Sequence, residues 1–250
     1  PESPRWLLKS GHRSKAENIL SKIGGDAYAA DIISSIADTT KNQIKLKYSA
    51  VFEKQVLPAV IVGIGLAVFQ QFCGINVVFN FTTTIFKSIG FNQDDQLRQT
   101  IFIGLINLVF TILAMWQVDK VGRKPLMLFG ALGLAILYLI SAVLLQNKSP
   151  MAAWTLLAAI GTYAISLAPV TWVLISEIFP TKIRGMAISI AVLALWLSYA
   201  ILVFTFPILV SKMGTYTPFY IYAGICVIGF LFVLRKVKET KGKSLEDLEN

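Results

Sequence analysis

The feature that most constrains this chain is the spacing of its charged residues. After Lys54 the chain contains six runs without a charged residue. Each run reaches the roughly 20 residues that an α-helix needs to cross a ~30 Å hydrocarbon core. These runs are residues 55–86, 99–118, 125–147, 149–176, 185–211 and 213–234. Helices satisfy their backbone hydrogen bonds internally, as lipid demands. The pattern therefore predicts an all-α membrane protein with six transmembrane helices and the lipid bilayer as a partner.

Composition excludes several other classes of protein. The chain is 55% hydrophobic and only 15% charged, unlike an ordinary soluble domain. Its two cysteines, Cys73 and Cys226, lie inside apolar runs and so do not form the framework of a secreted disulfide-rich fold. The net charge of +9 is not gathered on one folded basic face, and no nucleic-acid partner is expected.

The distribution of basic residues predicts the topology. With six spans, both termini and the loops after the second and fourth spans share one side, which carries 19 Lys and Arg against 4 on the other. Because basic loops stay in the cytoplasm, both termini of this segment are expected there, in a multi-pass protein of the inner or plasma membrane. Three parts follow: cytoplasmic helices in 1–54, the transmembrane domain in 55–234 and a cytoplasmic tail in 235–250.

The leader segment is expected to form short amphipathic helices beneath the membrane. Residues 14–23 place Ala16, Leu20 and Ile23 at helical spacing before the Gly24-Gly25 pair, which should end the helix. His12 has no His, Cys or acidic neighbour at ligand spacing, so no metal site is expected.

Polar residues mark the first span as unusual. Gln70, Gln71 and Asn76 surround Gly74, and Gln70 and Asn76 would be about 240° apart on an ideal helix. They can share one face only if the helix bends or unwinds at Gly74. Pro169 removes a backbone hydrogen bond from the fourth span in a similar way.

Interrupted helices at corresponding positions of two three-span units point to a substrate site near the bilayer midplane. The alternative is that such amides only bind helices together, and for Asn107 this is equally plausible.

Trp172 and Trp196 lie well inside their spans and could pack against the C–H face of a sugar, or serve as ordinary packing residues. Trp116 and Trp154 lie near span ends and are expected to be interfacial anchors.

Two cytoplasmic loops place an acid at the end of one helix and a base at the start of the next. These residues are Asp119, Arg123, Glu177 and Arg184. Both placements oppose the helix dipole, so the charges need other partners. They suggest an ion-pair cluster that forms and breaks between two states of the protein. An ordinary positive-inside loop would explain the bases but not the acids.

Five ordered motifs resemble those of the sugar porters of the major facilitator superfamily, and specifically their C-terminal half. The resemblance is strongest to the bacterial xylose-proton symporter branch. The motifs are residues 1–7 (PESPRWL), 70–76 (QQFCGIN), 119–124 (DKVGRK), 172–184 (WVLISEIFPTKIR) and 239–242 (ETKG).

This resemblance implies half of a major facilitator bundle, built as two inverted three-helix repeats. It implies a monosaccharide site lined by Gln70, Gln71, Asn76, Asn107, Trp172 and Trp196, with Asn80 as a further lining residue. The remaining site residues would come from an N-terminal six-helix half, joined through residues 1–54. Whether the chain is an excerpt of a twelve-span protein or a natural half stays open.

Departures from the family pattern affect the expected substrate. Leu195 replaces the usual Asn or Gln, Asn80-Phe81 replaces a Tyr-Tyr pair, and Lys238 replaces a proline. The exact sugar, a hexose or a pentose, is therefore not specified. Because no acidic residue lies within a span, these residues leave open whether a proton is a co-substrate.

The predicted function is a secondary transporter for a monosaccharide, working by alternating access. The sequence contains no arrangement of a nucleophile with a base, so neither enzymatic catalysis nor a cofactor is expected. The alternative function is a membrane sugar sensor that does not transport.

Overall fold

The structure is a computed structural model that describes residues 2–41, 48–180 and 183–242. These residues form α-helices and one short 3-10 helix, Tyr48–Phe52, and include no strand. The helices are α1 (Pro4–Lys9), α2 (Arg13–Lys41), α3 (Leu57–Phe72), α4 (Ile75–Asn80), α5 (Thr82–Ser88), α6 (Gln93–Val121), α7 (Arg123–Gln146), α8 (Met151–Ile165), α9 (Leu167–Glu177), α10 (Arg184–Met213) and α11 (Thr217–Lys236).

Two compact units divide the chain, and the first comprises Pro1–Ala50. Here α1 packs on α2, which is interrupted at Gly25, whose φ of 85° lies outside helical geometry. The break predicted at the glycine pair is therefore present. Leu20, Ala29 and Ile33 form a small core across it. Ile23 was expected on the buried face but is 67% exposed, because the segment after Gly25 packs against Leu20 instead.

The second unit, Val51–Asn250, contains six helical spans that are long and apolar enough to cross a membrane. The prediction of six membrane-spanning helices is confirmed. The spans are Leu57–Asn80, Gln93–Val121, Arg123–Gln146, Met151–Glu177, Arg184–Met213 and Thr217–Lys236.

The first and fourth spans are each broken into two helices. Gly74 adopts φ 85° between α3 and α4, at the position that the surrounding amides predict. The fourth span breaks at Ser166, three residues before Pro169. Since a proline cannot donate to the carbonyl four residues earlier, Pro169 removes the bond to Ile165, and the helix yields next to that residue.

Packing places the two broken spans at the centre of the unit. The most apolar windows of the first and fourth spans are each 61% buried, compared with 17% for the second and 28% for the fifth. In the bundle α7 packs along α11 and α8, α3 along α10, and α6 along α8. The spans formed by α6 and α10 therefore present large exposed apolar faces.

Candidate functional site

The break at Gly74 brings the polar residues of the first span together. At φ 85° the chain turns between α3 and α4, so Asn76 comes within reach of Gln71. A Cβ atom on residue 74 would lie 2.4 Å from the ring of Tyr222 on α11. Glycine is thus required here both by the backbone conformation and by the close approach of a neighbouring ring.

Three amides and one hydroxyl form a continuous chain of hydrogen bonds at this break. Asn76 Nδ2 donates to Gln71 Oε1 at 2.6 Å, and Gln71 Nε2 donates to Gln70 Oε1 at 2.7 Å. Gln70 Nε2 in turn donates to the Tyr163 hydroxyl at 2.7 Å. We refer to these four residues as the amide chain. Both glutamines are buried, as expected of polar groups that satisfy one another.

Tyr163 is the member of the amide chain that sequence reasoning missed. It lies on α8, 93 residues from Gln70, just before the break at Ser166. Its hydroxyl therefore links the two interrupted spans where each loses its regular backbone pattern. A lone tyrosine in an apolar run gives no sequence signal for this role.

Within the part of the protein that the structure describes, the other predicted lining residues form no hydrogen bond with the amide chain. Asn107 is half-buried on α6, where its backbone carbonyl accepts a hydrogen bond from Thr111 at 2.7 Å. Trp172 on α9 is 44% exposed and Trp196 on α10 is 58% exposed. Both indoles therefore have faces that are free to contact another molecule.

Asn80 joins a second polar contact, between the end of α4 and α10. Its Nδ2 donates to the Tyr199 hydroxyl at 2.9 Å, and the Tyr199 ring meets the Trp196 ring edge-on with centroids 5.7 Å apart. The adjacent Phe81 packs on Phe206 with ring centroids 4.8 Å apart. Leu195 is only 2% exposed, so this departure from the family pattern lies in the packed core.

Three of the four predicted cytoplasmic charges form one cluster. The Arg123 guanidinium lies 3.1 Å from a carboxylate oxygen of Asp119 and 3.1 Å from one of Glu177. Arg123 therefore connects the end of α6 to the end of α9. The fourth charge, Arg184, donates from Nε to the backbone carbonyl of Phe179 at 3.2 Å.

The tail segment adds an acid that sequence reasoning did not assign to the cluster. Glu239 accepts hydrogen bonds from the backbone N–H groups of Arg123 and Lys124 at 3.0 Å, at the first turn of α7. Partial burial acts to raise the pKa of Glu239, but these bonds, with those from the N–H groups of Lys241 and Thr240, hold it below its usual range. The neighbouring Thr240 hydroxyl donates to Glu177 at 2.6 Å, which joins the tail to the cluster.

The described residues contain no group of three or more His, Cys, Asp or Glu that could hold a metal ion. The polar machinery of the second unit therefore comprises amides and hydroxyls within the spans and charged side chains at one end. Such groups can bind a neutral polyhydroxylated molecule through hydrogen bonds and change partners between conformations.

Comparison with known proteins places the chain in a family. It matches the family described as "Sugar (and other) transporter" over residues 1–250, and it belongs to that family. The D-xylose-proton symporter of Escherichia coli strain K12 is 41% identical over 257 residues, covering 100% of this chain and 52% of the symporter. The arabinose-proton symporter of Bacillus subtilis strain 168 is 36% identical, covering 100% of this chain and 54% of that protein.

Solved structures agree with this assignment. The proton:xylose symporter XylE bound to 6-bromo-6-deoxy-D-glucose matches with a TM-score of 0.78 and 41% identity, covering 100% of this chain and 54% of that one. The inward-open conformation of XylE from E. coli matches with a TM-score of 0.79 and 39% identity. This chain is thus a multi-pass membrane protein with the fold of one half of a major facilitator transporter, and it spans about half the length of these relatives.

Proposed function

We propose that this chain forms one six-helix half of a carrier that moves a monosaccharide across the cytoplasmic membrane by alternating access. The family match and the sugar-transporting relatives support the class of substrate. The observation that carries the proposal is the amide chain, because it concentrates buried hydrogen-bonding groups at a helix break near the centre of the bundle.

The amide chain can exchange its internal hydrogen bonds for bonds to a sugar. Each amide carries two N–H donors and one carbonyl acceptor, which match the donor and acceptor character of sugar hydroxyls. Within the amide chain, Gln70, Gln71 and Asn76 each donate one hydrogen bond to a neighbouring member. Each amide therefore keeps a second N–H that can donate to a ligand. A bound sugar would lie against Trp172 or Trp196, with Asn107 and Asn80 as further polar contacts.

The partner of this unit is proposed to be a second six-helix half. The exposed apolar faces of α6 and α10 support this, and so does the length of the relatives, which are about twice as long as this chain. Residues 1–54 would connect the two halves on the cytoplasmic side. The tail, residues 235–250, would lie on the same side, so both termini of the chain would be cytoplasmic. A sugar at the midplane would then be enclosed by both halves.

The cytoplasmic charges are proposed to bias the two states of the carrier. Arg123 links α6 to α9 and also receives the tail through Glu239, which bonds to its backbone N–H. Contacts of this kind, present in one state and broken in the other, shift the equilibrium by their own free energy. Arg184, next to the same helix ends, would join this exchange of partners when the ends move.

Proton coupling, named in the xylose and arabinose relatives, would need a titratable carboxylate within the membrane. The six uncharged runs of this chain supply none, so such a group would come from the other half. The sensor alternative is not supported by the comparisons, since the relatives named above are symporters.

Substituting Gln71 with alanine should weaken sugar binding. It removes the central member of the amide chain and leaves a sugar hydroxyl unpaired, which costs about 1–3 kcal/mol, or roughly 5- to 150-fold in Kd. Binding of labelled xylose and glucose to the purified full-length protein measures the effect. Gln117→Ala is the matched control, because Gln117 is an exposed glutamine on α6 that does not belong to the amide chain. Unaltered affinity in a well-folded Gln71→Ala protein would refute the assignment.

Alanine at Trp172 or Trp196 should raise the apparent substrate constant for uptake by about 2- to 10-fold, the range expected for losing one aromatic contact. Membrane insertion should be unchanged, since neither indole belongs to the buried core. Trp116→Ala serves as control, because Trp116 is 72% exposed near the end of α6. Uptake kinetics equal to those of the wild type in both variants would exclude an aromatic platform.

A further inference from the structure

Two adjoining grooves open at the predicted cytoplasmic end of the second unit, where α3 begins and α11 ends. The first has a volume of about 350 Å³ and is lined by Leu57, Ile61 and Phe232, with Lys54 and Lys236 beside them. The second, of about 250 Å³, shares Pro58, Val62 and Lys236 with the first and adds Lys238. Apolar walls thus lie directly next to lysines in both grooves.

The floor of the first groove is fixed by a close contact between the two helices. A Cβ atom on Gly65 of α3 would lie 2.6 Å from the Phe232 ring, so the ring rests directly on the α3 backbone. Farther from the cytoplasmic end, a Cβ atom on Gly229 of α11 would lie 2.0 Å from the ring of Phe69. The two helices therefore pack closely at these two points, and the grooves lie where α3 begins and α11 ends.

The three lysines of the grooves have no partners among the described residues. Lys54, Lys236 and Lys238 are exposed, and none forms a hydrogen bond or ion pair within the part of the chain that the structure describes. Nearby bases differ: Lys124 donates to the carbonyl of Leu234 at 2.9 Å, and Lys241 donates to that of Lys120. The nearby acid Glu239 is occupied by four backbone N–H groups.

The arrangement of side chains along the grooves matches a phospholipid. Lys236 lies one helical turn beyond Phe232 on α11, which places its Cα about 6 Å farther along the helix toward the predicted cytoplasmic end. Lys54 precedes the start of α3 at Leu57, on the cytoplasmic side of Ile61. This is the order of charge and hydrocarbon in a lipid at the edge of the bilayer. A soluble anion would use only the lysines and leave the apolar walls in contact with lipid.

We propose that these two grooves together form a binding site for one anionic phospholipid of the cytoplasmic leaflet. Its phosphate contacts Lys54, Lys236 and Lys238, and an acyl chain lies along Ile61 and Phe232. Basic pockets between membrane helices on the cytoplasmic side favour such headgroups. A zwitterionic lipid fits less well, because its own cation would meet three unneutralised lysines. The site is separate from the amide chain and does not depend on which substrate is transported.

The experiment is native mass spectrometry of the full-length, delipidated protein titrated with phosphatidylglycerol or phosphatidylcholine. The wild type should retain phosphatidylglycerol in preference to phosphatidylcholine. The Lys54→Gln/Lys236→Gln/Lys238→Gln variant should lose affinity for phosphatidylglycerol by about tenfold or more. A control variant, Lys15→Gln/Lys22→Gln/Arg235→Gln, removes the same net charge outside the grooves and should bind within about twofold of the wild type.

A second variant tests the apolar wall without changing charge. Ile61 is 57% exposed, so Ile61→Trp should fill the first groove without disturbing the core and should also reduce phosphatidylglycerol retention. The proposal is overturned if both variants bind phosphatidylglycerol as the wild type does, or if the control variant loses as much affinity as the triple variant. It is also overturned if phosphatidylcholine binds equally well, or if inorganic phosphate displaces the lipid completely, which would indicate a site for a soluble anion.

Discussion

Substituting Arg123 with alanine is expected to reduce net sugar transport at least tenfold while leaving sugar binding largely intact. The Arg123 side chain is only 14% exposed and lies 3.1 Å from Glu177, itself 22% exposed, so its removal leaves a partly shielded carboxylate without its cation. The pair with Asp119 contributes less, because Asp119 is 79% exposed and screened by water. If the link favours one state by about 1.4 kcal/mol, its loss shifts the two populations tenfold.

The deciding comparison is equilibrium binding and net uptake measured on the same preparations. Glu177→Gln should resemble Arg123→Ala, whereas Arg123→Lys keeps the charge and should retain part of the transport. Lys120→Gln is the matched control: it removes a base three residues away whose exposed side chain has no ion pair among the described residues. Equal loss of binding and uptake would indicate a role in folding, and loss of neither would leave these charges as topology determinants.

The spans were predictable because the membrane imposes one simple requirement on sequence. A helix that crosses lipid cannot carry unpaired charges, so the distance from one charged residue to the next marks each span. Local chemistry also predicted where the first span breaks, since the amides around Gly74 could share a face in no other way. The position of the second break was predicted less closely: Pro169 is visible in the sequence, but the backbone breaks at Ser166, next to Ile165, whose carbonyl loses its hydrogen bond to residue 169.

The polar contacts were only partly predictable, because they depend on which helices become neighbours. Nothing in the sequence pairs Gln70 with Tyr163, or Asn80 with Tyr199, 119 residues later. The tail posed the same difficulty. Glu239 belongs to a recognisable motif, but its role follows from the first turn of α7, whose N–H groups are 115 and 116 residues away.

Substituting Gly74 with alanine should have a larger effect on this unit than any change to a single polar side chain. A residue with a Cβ pays about 1–2 kcal/mol to adopt the left-handed conformation that φ 85° requires. The added methyl group would also lie 2.4 Å from the Tyr222 ring, an overlap that costs a further ~1–3 kcal/mol to relieve. Together these terms are a substantial part of the total stability of a typical domain.

Relief of this strain would move α4 relative to α3 and separate Asn76 from Gln71. We therefore expect Gly74→Ala to lower the thermal unfolding temperature and to reduce sugar affinity more than Gln71→Ala does. Gly104→Ala is the control, because residue 104 has no neighbour within 4 Å of an added Cβ and no positive φ. Adding Tyr222→Leu to Gly74→Ala should restore part of the stability by removing the clash but not the backbone strain. If Gly74→Ala has the stability and the sugar affinity of the wild type, the prediction is wrong. That result would show that the amides stay together without the left-handed turn at residue 74.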